Sequence, residues 1–193
     1  MTLGEAKIPL YEVSPYHLKV DGCIFESVFQ SAKVYPRVPA VDLKIEKWSH
    51  PAEEHVDAKG TVLPAYWAWR AKLLSHPTAV RYPVGQSYAK TCLYALWWDG
   101  TKLQKYDYIE SRWHIYATLY IKAVRQTEAY KQLLQLVKAG AKLELLDVDC
   151  PDSIEVSLAT YTTYLSKTTP RFGHTWSLAL ALLEDAGLLT PKV

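Results

Sequence analysis

The chain has 193 residues, 49% hydrophobic and 22% charged, a balance that predicts one globular domain over residues 1–193 and excludes extended disorder. Its formal net charge of +2 excludes a strongly basic surface, so any nucleic-acid contact is expected as a local patch. Cys23, Cys92 and Cys150 are widely spaced without a CxxC pair, and neither a basic-then-apolar leader nor an apolar run of about 20 residues is visible. A disulfide framework, a zinc knuckle and a membrane span are therefore not expected, and the chain reads as soluble and cytoplasmic.

In chain order, Ile8–Leu18 mixes short apolar and turn residues, and Val20-Asp21-Gly22 reads as a tight turn. It leads into Phe25–Tyr35, FESVFQSAKVY, which has the spacing of an amphipathic helix. A loop with Pro36 and Pro39 follows. Val41–Gly60 is polar and is expected to be loop with a short helix. Pro64 at a first helical turn predicts a helix through AYWAWRAKLLS that stops before His76-Pro77. Thr91–Trp98, Asp99-Gly100 and Thr101–Lys105 read as a hairpin. The longest periodic segment is Ile109–Ala139, apolar at Trp113, Tyr116, Leu119, Tyr120, Ala123, Tyr130, Leu133, Leu134 and Val137, with Gly140 at C′. Lys142–Val148 alternates like a strand that Pro151 ends. A final helix over Trp176–Ala186 closes at Gly187. The sum is an α+β domain, mainly helical with a small β-sheet.

Within the Phe25 helix, Glu26, Gln30 and Lys33 are spaced by four and three residues. At about 100° per residue they share one narrow stripe, while Phe25, Val28, Phe29 and Ala32 form a separate apolar arc. A carboxylate, an amide and an amine placed together at the edge of a buried face could serve chemistry. A desolvated lysine loses its proton more readily and becomes an amine nucleophile towards a carbonyl-like carbon. The same stripe is also what an ordinary solvated helix face looks like. An anionic Glu26 raises the lysine pKa and burial lowers it, so the balance decides whether the amine is free at neutral pH.

From Tyr11 the chain runs YEVSPYHLKVDGCIFESVFQSAKVY, which resembles the N-terminal signature of the NADAR superfamily: an aromatic-rich segment and a turn before a helix with Glu-x3-Gln-x2-Lys. The wording IFESVFQSAKVY is similar to the branch paired as antitoxin with toxins that ADP-ribosylate DNA guanines, although Ser27 stands where the superfamily often has histidine. The resemblance implies a NADAR-like fold and an N-glycosidase that hydrolyses a ribose C1–N bond. The substrate it implies is ADP-ribosylated guanine in DNA, and the alternatives are a small ribosylamine or nucleotide of the riboflavin-intermediate type, or a non-catalytic module binding ADP-ribose or NAD. In the catalytic reading, Lys33 forms a Schiff base with the opened sugar, Glu26 moves protons, and Gln30, which does not titrate, orients ribose hydroxyls.

An ADP-ribose substrate also needs pyrophosphate and base sites. Arg171, Gly173 and His174 precede the last helix, where exposed amides and a guanidinium suit an anion, and equally suit ordinary capping. Asp149 and Asp152 flank a turn after the expected strand and are candidate ribose-binding or catalytic carboxylates, and equally an ordinary turn signal. Trp97, Trp98 and Trp113 are candidates to stack a base, Trp98 foremost. No HxxxH, GxGxxG or Walker spacing is present, so neither a metal nor a cofactor is expected. The expected partners are an ADP-ribosylated nucleic acid or ADP-ribose-containing small molecule, and a cognate ADP-ribosyltransferase toxin.

Overall fold

A computed structural model describes residues 10–41, 48–79, 92–145, 155–167 and 172–189, and they form the expected α+β arrangement, mainly helical with small sheets. The chain divides into two compact units, one of Val20–Ile115 and one of Met1–Lys19 with Tyr116–Val193.

In the first unit, Asp21 and Gly22 both take positive φ, at 50° and 82°. This is what a two-residue hairpin between β1 (Lys19–Val20) and β2 (Cys23–Ile24) demands. Helix α1 covers Phe25–Ala32 only. Lys33 is its C-cap, with extended φ and ψ of −76° and 135°, and begins β3 (Lys33–Val34). The sequence pattern ran the helix three residues too far. Pro36 biases Tyr35 away from helical dihedrals, and β-branched Val34 favours a strand.

The second difference lies in the segment expected as loop and short helix. β4 (Arg37–Val41) pairs antiparallel with β5 (Trp48–Glu54), with an irregularity between Pro39 and Val41. Pro39 and Pro51 argue against strands in a sequence, yet a two-stranded sheet has only edge strands, where proline is tolerated.

Helix α2 (Pro64–Ser75) begins with proline in its first turn and ends before His76, as expected. The hairpin is also as expected: β6 (Tyr94–Trp98) pairs with β7 (Leu103–Tyr106) in the register Trp98↔Leu103, and β3 pairs with β6 on its other side. Val34 of β3 and Leu96 of β6 form a core with Tyr35, Val38, Tyr66, Trp69 and Leu73. Each large apolar side chain buried there contributes about 1.5–3 kcal/mol.

His55 is buried in this unit. It is 1% exposed, its Nδ1 has no hydrogen bond, and its ring lies 5.9 Å from Tyr66 and 5.3 Å from Trp69. Its peptide is satisfied, donating to Pro36 O at 3.0 Å and accepting from Leu63 N at 2.9 Å. Burial pushes the imidazole pKa from 6.5 down to about 4. The unfolded chain therefore binds a proton first, and folding stability falls as pH drops from about 6.5 to about 4. The expected loss is on the order of 3 kcal/mol. Urea midpoints at pH 7 and pH 4.5 should converge in His55→Leu relative to the parent, and an equal drop in both proteins would sink this account.

The segment that differs most from its expected form begins in the first unit and continues in the second. In place of one helix over Ile109–Ala139, the chain forms α3 (Tyr108–Ser111), a π-helical turn over Arg112–Ala117, α4 (Thr118–Val124) and α5 (Glu128–Lys138). The apolar period pauses between Ala123 and Tyr130, and Thr127 fills the gap as an N-cap, its hydroxyl accepting from Tyr130 N at 3.2 Å. Lys142–Leu145 form no strand.

Helix α7 (His174–Asp185) starts two residues before the expected Trp176 and packs against α4, α5 and α6 (Leu158–Leu165). Arg125 grips Asp185 with two bonds of 2.9 and 2.7 Å, and Tyr130 donates to the same carboxylate at 2.6 Å. Among the described residues no helix is long and apolar enough to cross a membrane.

Candidate functional site

The site grows out of α1, whose eight residues are all buried. That removes the solvated-face reading of the Glu26, Gln30 and Lys33 stripe: the three are 6%, 6% and 7% exposed. The ordering is directional. Lys33 Nζ donates to Gln30 Oε1 at 3.0 Å, and Gln30 Nε2 donates to Glu26 Oε1 at 2.8 Å. An amine donor can face only the amide oxygen, which turns the amide NH2 towards the carboxylate and fixes the orientation of Gln30. Lys33 reaches this chain although it is no longer helical, because a side chain at the C-cap still lies over the turn that precedes it.

The turn carrying Lys33 is held from α2. Tyr66 Oη donates to Ser31 O at 3.0 Å, with Ala32 O at 3.3 Å, and Arg70 bonds Tyr66 Oη and Leu96 O, each at 3.3 Å. The free carbonyls at the end of α1 thus gain a partner, and β3 leaves the helix on a fixed line.

Burial is the largest influence on the Lys33 amine and pushes its pKa below the ordinary lysine range. Tyr108, Glu26 and Cys92 pull it back upward, and Arg112 adds to the lowering. The net direction is downward, towards a neutral amine. Gln30 contributes by its position: with an amide between lysine and carboxylate, the two do not form the direct ion pair that would favour the ammonium. Burial also raises the Cys92 thiol pKa.

Phe29, expected only as part of the apolar arc, lies against the amine, and two further neighbours, Tyr108 and Arg112, were not singled out from the sequence. Lys33 Nζ sits 4.3 Å from the Phe29 ring centre and 5.7 Å from that of Tyr108. Arg112, 6% exposed, lies 4.8 Å over the Tyr108 ring and donates to its hydroxyl at 3.3 Å. A sequence signal for this group existed. Asp107 and Glu110 form a capping box that starts a helix at Tyr108, which places Arg112 one turn further along.

Of the other sequence candidates, Trp98 belongs to the same unit but is 57% exposed. Gly173 and His174 belong to the second unit, where Gly173 is the N-cap of α7 with φ −90° and the His174 ring lies 6.0 Å from Tyr120. Asp149, Asp152 and Arg171 lie outside the described residues. Among the described residues no three His, Cys, Asp or Glu side chains are grouped to hold a metal ion. No protein-family model, curated protein or solved structure matches the chain.

Proposed function

We propose that the protein is an N-glycosidase of the NADAR type that removes ADP-ribose from a nucleobase, guanine in DNA, with Lys33 as nucleophile and Glu26 as proton carrier. The observation that carries this reading is the buried chain Lys33→Gln30→Glu26, with the amine biased to its neutral form.

The C1–O4 bond of the ribose breaks as the N–H proton of the attached base nitrogen passes to O4, which leaves C1 doubly bonded to that nitrogen. The lone pair of Lys33 Nζ adds to C1, and the Glu26 carboxylate relays the two amine protons in turn to the base nitrogen, so the C1–N bond breaks and the base leaves as a neutral amine. A Schiff base between Lys33 and the sugar remains. Water then adds to C1, Glu26 relays its two protons in turn to Nζ, and the C1–Nζ bond breaks, which regenerates the amine and leaves an aldehyde at C1 that O4 closes again to ADP-ribose. Gln30 holds one N–H of the amine and so aims its lone pair, a positioning role that needs no titration.

In this reading the protein acts in the cytoplasm as the antitoxin to a DNA-modifying ADP-ribosyltransferase. The formal charge of +2 supports a small ribosylamine or free nucleotide as well as it supports DNA. One assay separates the substrates: purified protein is incubated with a guanine-ADP-ribosylated oligonucleotide, with free ADP-ribosyl guanosine and with a ribosylamine, and released sugar is followed. Release from the oligonucleotide is the expected result, and release from the ribosylamine alone would move the activity to a metabolite. Absence of release from all three would remove the glycosidase reading.

A further inference from the structure

Trp97 and Trp98 are neighbours on β6, and the pleat sends them to opposite faces of the sheet. The register decides which face is which. Lys33 pairs with Ala95 and Ala95 with Tyr106, so these three share one face, and Trp97, opposite Gln104, lies two residues further along that face. Val34, Tyr94, Leu96, Lys105, Trp98 and Leu103 share the other. The contacts agree with this division. Val34 and Leu96 pack on α2, and Lys105 Nζ lies 4.5 Å over the Tyr94 ring. On the first face, Tyr106 stacks on His114 with ring centres 4.5 Å apart and planes 15° from parallel.

From strand spacing, Trp97 and Lys33 have Cα atoms roughly 8 Å apart on this face. Trp97 lies towards the end of β3 at which α1 joins it. Ala95, directly opposite Lys33 and two residues from Trp97 on the same face, is buried. Trp97 is half-buried, whereas Trp98 is mostly exposed on the face away from the amine. The turn of the hairpin that presents Trp97 is closed by hydrogen bonds of its own residues. The Asp99 carboxylate accepts from Thr101 N at 2.8 Å, Thr101 Oγ1 at 2.7 Å, Lys102 N at 2.9 Å and Gln104 Nε2 at 2.6 Å.

From this we infer that Trp97, beside the Tyr106–His114 stack, is the platform for a planar nitrogen heterocycle, and that Trp98 is not. The inference rests on the glycosidase reading, in which that heterocycle is the leaving base. A base stacked on Trp97 leaves its ribose directed along the row towards Lys33, and every base offers a π-face to such a ring.

The test uses full-length Lys33→Met protein, which should bind substrate without consuming it, and isothermal titration with two probes: a guanine-ADP-ribosylated oligonucleotide and ADP-ribose. Adding Trp97→Ala should weaken the oligonucleotide by about tenfold or more and leave ADP-ribose unchanged, the size expected for one lost stacking partner. Adding Trp97→Phe should restore most of the affinity, which a misfolded protein would not do. Trp98→Ala should bind both probes as the parent does. Equal oligonucleotide affinity with and without Trp97, or a loss on Trp98→Ala instead, overturns the platform while ADP-ribose binding and wild-type turnover leave the glycosidase reading standing. Failure of the parent to bind either probe, with no turnover by wild type, overturns both.

Discussion

Replacing Lys33 with methionine is expected to lower the hydrolysis of ADP-ribosylated guanine by at least about 10³-fold, the scale of removing a covalent nucleophile. Methionine keeps much of the buried stem in its 7% exposed position, so the change tests chemistry rather than packing. It leaves Gln30 Oε1 without its 3.0 Å donor, a cost of about 1–3 kcal/mol in stability that circular dichroism and a urea midpoint can separate from activity. Lys33→Arg should not rescue, because a guanidinium stays protonated and cannot add to C1. Borohydride added during wild-type turnover should fix the sugar onto Lys33, visible by mass spectrometry as an adduct on the peptide containing that residue. Full activity in Lys33→Met would sink the covalent mechanism, and direct attack of water assisted by Glu26 would replace it.

Glu26→Gln should lower turnover by about 10²–10⁴-fold, the range for loss of a positioned acid–base group, while the lysine adduct still forms. Because the second half-reaction also loses its proton acceptor, borohydride should trap a larger share of the enzyme than in the wild type. The pH profile gives an independent sign. In the proposed mechanism activity rises as Lys33 loses its proton, through a pKa that burial has lowered and Glu26 partly restores. Removing the carboxylate charge deletes that upward pull, so the rising limb should move to lower pH in the variant. A limb that stays in place, or moves to higher pH, would mean that Glu26 does not act on the amine.

The sequence by itself determined the elements whose signals are local. Pro64 in a first turn started α2, Asp21-Gly22 turned the first hairpin and Asp99-Gly100 the second, because each needs only its own dihedral preference and a short apolar pattern. The spacing of Glu26, Gln30 and Lys33 likewise singled out the hydrogen-bonded chain, even though Lys33 had left the helix. Where signals conflicted, local reading failed. Pro39 and the polar residues that follow it hid a strand pair, β4 with β5, and apolar residues recurring on both sides concealed the break that Thr127 caps between α4 and α5. Tertiary structure alone decided two further things. The first was that the polar stripe is buried, since a helix carries no record of what packs against its polar side, and on that burial rests the downward shift of the Lys33 amine. The second was which tryptophan faces that amine: in a pleated strand, neighbours differ by half a turn, and only the pairing register of Lys33 with Ala95 fixes which of Trp97 and Trp98 shares its face.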